Sequence, residues 1–240
     1  MKLINDDCLK AMQDIPDQSI DLILTDPPYG TTACKWDSII PFEHMWKQLK
    51  RIIKDNSAII FTASQPFTSA LVMSNIKMFK YEWIWEKDAG TGFLNAKKYP
   101  LKNTENILVF CKGVHKYNPQ MREGKPYKIT RGRKSDNYGK DTKEEIITEN
   151  KGERYPLTGL KFNRDKDKLH PTQKPVALFE YLIKTYTNEG DLVLDNCAGS
   201  GTTGVACKNL NRNYILIEKE PKYIKIAKER IASIPDNLGI

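Results

Sequence analysis

The segment Ile20-Asp21-Leu22-Ile23-Leu24-Thr25 is near-continuously apolar, and Leu192-Val193-Leu194 repeats that character late in the chain. A strand with no polar face must be covered on both sides, and a parallel sheet flanked by helices is the arrangement that does so. The sequence between supplies the helices. Phe42, Met45, Leu49, Ile52 and Ile53 recur at helical spacing, and Phe67 to Ile76 reads as a second helix. Pro175 begins a third, with Val176, Phe179, Leu182, Ile183 and Tyr186 on one face, since proline fits the first helical position. Thr202 to Leu210 and Pro221 to Ile234 complete the set. Further strands are expected at Leu3-Ile4, Ser57 to Thr62, Tyr81 to Trp85, Asn106 to Phe110 and Asn213 to Ile217. Strands alternating with helices predict an α/β fold on a mostly parallel, doubly wound sheet. At 240 residues the chain holds one large domain, or one domain with an insertion.

The pattern collapses between Lys112 and Lys168, where Lys, Arg, Gly, Asn and Tyr replace the apolar runs. This stretch reads as an insertion at one end of the sheet. Its first half carries nine basic residues, from Lys112 to Lys140, against two acids, Glu123 and Asp136, in a chain of net charge +8. Clustered positive charge is the footprint of a polyanion partner, although a solvated basic loop has the same composition. No run approaches the length of a membrane span, and acids at Asp6 and Asp7 interrupt any export signal. Cys8, Cys34, Cys111, Cys197 and Cys207 lack the pairwise spacing of a zinc or redox site. They read as reduced thiols in a reducing cytosol. His44, His115 and His170 are too dispersed for a metal cluster.

Two loops at strand ends carry chemistry. Thr25-Asp26-Pro27-Pro28-Tyr29-Gly30 follows the first apolar strand, at the edge where open parallel sheets bind ligands. Asp26 is an acceptor, the two prolines fix the backbone, and Tyr29 offers a flat ring. The combination suits a planar ligand bearing an amino group. Asp195-Asn196-Cys197-Ala198-Gly199-Ser200-Gly201-Thr202-Thr203 follows the late strand and leads into a helix. Its glycines permit close approach of a ligand to the backbone. Glu218 ends the next strand, where an acid takes ribose hydroxyls. A nucleoside cofactor is expected. Gly201 is followed directly by Thr202-Thr203 and not by a lysine, which argues against a phosphate-binding loop of the nucleotidase type.

With these motifs, the chain resembles the S-adenosylmethionine-dependent DNA amino-methyltransferases of the permuted β-class. There the Asp-Pro-Pro-Tyr motif comes first, the recognition region next and the cofactor loop last. Leu22 to Gly30, His170-Pro171-Thr172-Gln173-Lys174-Pro175-Val176 and Val193 to Thr203 match three of the family's motifs in order. The resemblance implies a Rossmann-like methyltransferase fold with a circularly permuted motif order. Residues 1–111 would be its catalytic half, 112–168 a small target-recognition insertion and 169–240 its cofactor-binding half. It implies that Asp26 and the Pro27 carbonyl hold the target amine, with Pro28 and Tyr29 completing the motif and the Tyr29 ring stacking on a flipped base. Asp7 matches the acid that meets the cofactor adenine, although as the residue before Cys8 it also suits a helix N-cap. Asp195, Gly199, Gly201 and Thr202 match the methionine-side loop, Thr172 and Lys174 lie near the cofactor carboxylate, and Glu218 matches the ribose ligand. Asn196-Cys197 stands where the family usually has Pro-Phe, so an aromatic wall beside the cofactor is missing or comes from elsewhere.

The expected reaction is methylation of the 6-amino group of adenine in double-stranded DNA by direct transfer, without a metal. The base must first leave the duplex. Lys125, Lys128, Arg131 and Arg133 are the candidate DNA contacts, and Trp36 is placed to cover the site. Methylation of the cytosine 4-amino group is the nearest alternative, although that branch usually has Ser where this chain has Asp26. A protein-glutamine methyltransferase usually has Asn there and the opposite motif order. A non-catalytic DNA-binding protein on the same scaffold is the alternative from another class. A cytoplasmic location, in a prokaryotic cell or a phage-infected host, follows from the resemblance, which leaves a homodimer open.

Overall fold

The apolar runs pair into one eight-stranded sheet. A computed structural model describes residues 1–32, 34, 37–131, 146–166 and 169–235. The early strands and helices are β1 (Lys2–Asn5), α1 (Cys8–Ala11), β2 (Ile20–Thr25), α2 (Phe42–Ile52), β3 (Ile53–Ala63), α3 (Phe67–Ser74), β4 (Phe79–Thr91) and β5 (Lys102–Phe110). Four short strands follow, β6 (Arg122–Glu123), β7 (Tyr127–Arg131), β8 (Ile146–Asn150) and β9 (Glu153–Arg154), then β10 (Gly159–Lys161). The chain closes with α4 (Val176–Tyr186), β11 (Leu192–Asp195), α5 (Thr202–Asn209), β12 (Asn213–Glu218) and α6 (Pro221–Ala232). Pro175 is the N-cap of α4 rather than its first residue; Pro221 occupies the first turn of α6.

The sheet runs β1-β12-β11-β2-β3-β5-β4-β10. Neighbours are parallel except that β5 is antiparallel to both β3 and β4. Side chains alternate across it as strand geometry requires. Leu22, Leu24, Ile60 and Val193 pack with Leu178, Leu182, Val205 and Ile231 of α4, α5 and α6. Ile23, Ile59, Phe61 and Leu194 pack with Ala11, Met45, Leu49 and Leu71 of α1, α2 and α3. Both faces are therefore covered, which explains the apolar character of β2 and β11. Trp83 and Trp85 alternate into the core, with Tyr81 packed beside them.

The chain divides into two units, residues 1–118 with 158–240 and Pro119–Leu157. The smaller unit is narrower than the patternless stretch of the sequence. Asn118 N–H donates to the Thr185 carbonyl at 2.7 Å, which keeps the start of that stretch with the larger unit. At its far end β10 joins the sheet edge, pairing Leu160 with Trp85. A three-residue strand is too short to show periodicity. Within the smaller unit β6 pairs with β9 and β7 with β8, all antiparallel. Its strands are largely exposed, so no buried alternation marked them. The Arg154 guanidinium lies 4.5 Å from the Tyr127 ring centroid. Gly152, at φ +115, turns the chain, with its N–H donating to Asn150 Oδ1 at 2.8 Å. Among the described residues no helix is long and apolar enough to cross a membrane.

Candidate active site

Strands β11 and β2 are adjacent and parallel, with Val193 opposite Leu22 and Leu194 opposite Ile23. The loops beginning at Asp195 and Asp26 therefore leave the same edge of the sheet side by side. A cavity of about 900 Å³ opens there, inside the larger unit. Asp26, Pro27, Pro28 and Tyr29 line it, as do Asp7, Thr172, Lys174, Asp195, Gly199, Thr202 and Glu218. Gly201 does not line it. Its φ is +81, and an added Cβ would stand 2.7 Å from the Ala227 Cβ. Glycine is needed at 201 for the turn and for the close approach of α6.

Asp26 sits at the centre of a polar cluster. Its Oδ1 accepts from the Tyr29 hydroxyl at 2.6 Å and from the Thr62 hydroxyl. Its Oδ2 lies 2.6 Å from the Lys174 ammonium. Lys174 is buried, and its ammonium also lies 3.4 Å from Glu105 Oε2. Glu105 in turn meets Lys87 at 2.5 Å through Oε1. Two cations and two carboxylates thus share one site with no net charge. Burial opposes the charge on Lys174, but Asp26 and Glu105 outweigh it and hold the ammonium above the ordinary lysine range. The resemblance put Lys174 near the cofactor carboxylate; the structure places its ammonium on protein carboxylates. Burial, with Asp26 and Glu105 nearby, pushes the Tyr29 hydroxyl well above its ordinary pKa, so it remains a donor. Phe67 stacks on the Tyr29 ring at 5.1 Å and 25°.

The other side of the cavity is built from the glycine loop. Asp195 is turned inward. It accepts from Cys197 N–H at 3.0 Å and from the Thr203 hydroxyl, and burial pushes its carboxyl up to about 6. Its role in the structure is to pin the loop. Glu218 accepts from Gly199 N–H and Glu220 N–H, each at 2.8 Å and each on a different oxygen. Glu218 also lines the cavity, whose volume suits a nucleoside. Asp7 Oδ1 caps α1 by accepting from Leu9 N–H at 2.9 Å, yet Asp7 still lines the cavity. The Thr172 hydroxyl contacts His170 Nδ1 at 3.1 Å, and Thr202 accepts from Arg230 at 3.0 Å. The rings of His170 and Tyr223 lie 4.2 Å apart at the cavity wall.

Sequence reasoning missed Thr62, Lys87 and Glu105. Each is a polar residue beside or within an apolar run, which was the available signal. On the smaller unit Lys125 and Lys128 are exposed. The Arg131 side chain, Arg133 and Trp36 lie outside the described residues. Among the described residues no group of His, Cys, Asp and Glu is placed to hold a metal ion.

Comparison with known proteins places the chain in a family. Residues 20–229 fit the model of the DNA methylase family. The Type II methyltransferase M.HpaI of Haemophilus parainfluenzae is 31% identical over 245 residues, covering 97% of this chain and 74% of its own. M1.MboII of Moraxella bovis is 31% identical over 251 residues, covering 92% of both chains. The crystal structure of the M1.HpyAVI–SAM complex superposes with a TM-score of 0.63 at 28% identity, over 95% of this chain and 98% of that one. The cytosine-N4-specific PvuII DNA methyltransferase shares the fold, with a TM-score of 0.69 at 17% identity over 98% of this chain and 87% of its own. The carboxylates at the cavity, the paired strand-end loops and these likenesses lead to one conclusion: the chain belongs to the DNA methylase family and is an S-adenosylmethionine-dependent DNA methyltransferase.

Proposed function

We propose that this enzyme methylates the 6-amino group of adenine in double-stranded DNA, in the cytoplasm of a prokaryotic cell. The Asp26 carboxylate carries the reading. A carboxylate has about four acceptor positions. Tyr29 and Thr62 take two on Oδ1 and Lys174 takes one on Oδ2. The remaining position on Oδ2 suits one hydrogen of an exocyclic amine, and the Pro27 carbonyl suits the other. Two acceptors favour a pyramidal nitrogen with its lone pair free, which a ring-conjugated amine otherwise lacks. The fixed cluster around Asp26 holds this geometry before substrate arrives, so positioning contributes most of the rate. The same carboxylate is within hydrogen-bond reach for the proton that the methylated amine sheds. S-adenosylmethionine supplies an activated methyl group.

Glu218, on the cavity wall, holds the ribose hydroxyls, and Asp7 meets the adenine of the cofactor. Gly199, Thr172 and Thr202 line the methionine side. Tyr223 and His170 provide the aromatic wall that Asn196-Cys197 lacks. Lys125 and Lys128, with Arg131 and Arg133, contact DNA. Cys197 is not a nucleophile: the neighbouring Cys8 thiol and burial push its pKa well up, and direct transfer, in which the amine nitrogen bonds the methyl carbon as its bond to sulfur breaks, needs no covalent enzyme intermediate.

The test is transfer of a labelled methyl group from the cofactor to genomic DNA, followed by nucleoside analysis. Label in N6-methyladenine is expected. Label in N4-methylcytosine overturns the choice of base, and no label at all favours a non-catalytic scaffold. Asp26→Asn should cut transfer by about 10²–10³-fold, the scale for losing a preorganised contact, while leaving cofactor affinity intact.

A further inference from the structure

The connection between β4 and β5 stands at the rim of the active-site cavity. It leaves at Thr91 and returns at Lys102, two residues that pair across its base and both line the cavity. The Thr91 hydroxyl donates to the Lys102 carbonyl at 3.1 Å. Gly92, at φ +95, turns the chain into a short helical turn over Phe93–Asn95. Backbone bonds close this turn, from Asn95 N–H to the Gly92 carbonyl at 2.9 Å and from Ala96 N–H to the Phe93 carbonyl at 3.1 Å. The turn presents its two largest apolar side chains outward: Phe93 is 72% exposed and Leu94 100% exposed.

Two adjacent exposed apolar side chains on a turn closed by its own backbone bonds offer a surface that a partner can cover. The surrounding charge identifies the partner. Lys97, Lys98 and Lys102 follow the tip, and no Asp or Glu occurs from Ala89 to Thr104. A cationic collar around an apolar tip fits a phosphate backbone around stacked bases. Its place beside Asp26 fits a further requirement. A base drawn into the cavity leaves a gap in the stack and an unpaired partner base. Apolar wedges fill such gaps in proteins that unstack DNA.

We propose that Phe93 and Leu94 form a wedge that enters the duplex as the target base is turned into the cavity, with Lys97 and Lys98 on the flanking phosphates. The proposal rests on the DNA methyltransferase reading of the adjoining site. Neither side chain touches the reacting atoms, so both are positioning residues.

The experiment compares wild type with a Phe93→Ala/Leu94→Ala double variant on a duplex carrying the methylated site mapped from genomic DNA. Methyl transfer is measured on the fully paired duplex and on one with an abasic position opposite the target. Fluorescence of 2-aminopurine at the target position reports extrusion of the base. The double variant should lose about 10- to 100-fold in transfer on the paired duplex, with the fluorescence rise lost in parallel. On the abasic duplex, where extrusion costs less, it should return to near the wild-type rate. Cofactor affinity and thermal unfolding should not move. Wild-type transfer by the variant on paired DNA overturns the wedge, as does an equal loss on both duplexes. A change in oligomeric state with transfer unchanged assigns the tip to a second copy and also overturns it. A wild type that methylates neither duplex removes the wedge together with the reading beneath it.

Discussion

The Lys174 ammonium lies 2.6 Å from the carboxylate of Asp26, a residue 148 positions earlier in the chain. Glu105 meets the same ammonium from a third segment. The contact joins the loop after β2 to the segment that begins α4, so the cavity and the fold share one buried ion pair.

Replacing Lys174 with Met keeps the stem and removes the charge that faces both carboxylates. Loss of one member of a buried pair costs about 3–5 kcal/mol, and the variant should unfold at correspondingly lower urea concentration. Lys174 has its folded-state pKa raised, so its contribution is complete below the ordinary lysine value and fades only as pH rises through the elevated one. The gap between wild type and variant should therefore stay level from about pH 7 to 9. A variant as stable as wild type would show that the pair does not hold the site.

Asp195 makes the opposite contribution from a salt-bridged carboxylate. Burial raises its pKa to about 6. Between the ordinary carboxylate value and 6, the folded protein keeps a proton that the unfolded chain has released. Stability from this group is present at acid pH and declines as pH rises through that window. Asp195→Asn keeps an oxygen acceptor and removes the titration. From about pH 4 to 7, wild type should lose roughly 2–3 kcal/mol relative to the variant, read from denaturant midpoints. A relative gain would show that the ionised carboxylate is the favoured folded form.

Glu218→Ala deletes the carboxylate that lines the cavity at the end of β12. Calorimetry should show S-adenosylmethionine binding weakened by about 1.5–3 kcal/mol, the range for hydrogen bonds to a charged group. Affinity equal to wild type would remove Glu218 from the cofactor site.

Lys125→Ala/Lys128→Ala tests the smaller unit. Each phosphate contact contributes about 0.9 to the slope of log affinity against log salt, so the double variant should flatten that slope by about two units. An unchanged slope would assign the basic stretch to a solvated loop and move DNA binding elsewhere on the chain.

Local pattern was enough for the elements that matter most. An apolar run such as Ile20–Thr25 must lie inside a covered sheet, because leaving either face in water forfeits its burial. Parallel strands then bring the ends of β2, β11 and β12 to one edge, which puts Asp26 and Glu218 on the wall of one cavity. Position along the chain did not reveal what each side chain would touch. Asp195 lines the cavity and also pins its own loop, and Gly201 stands outside the lining, where it makes room for Ala227. Thr62, Lys87 and Glu105 were unremarkable until β5 settled antiparallel between β3 and β4. A buried ammonium must find carboxylates, and a buried carboxylate must find donors. Those partners come from whatever strand lies alongside. Hydrophobic periodicity records which face of a strand is buried and carries nothing about its neighbour, so the elements were written in the sequence and the charge cluster was decided by their packing.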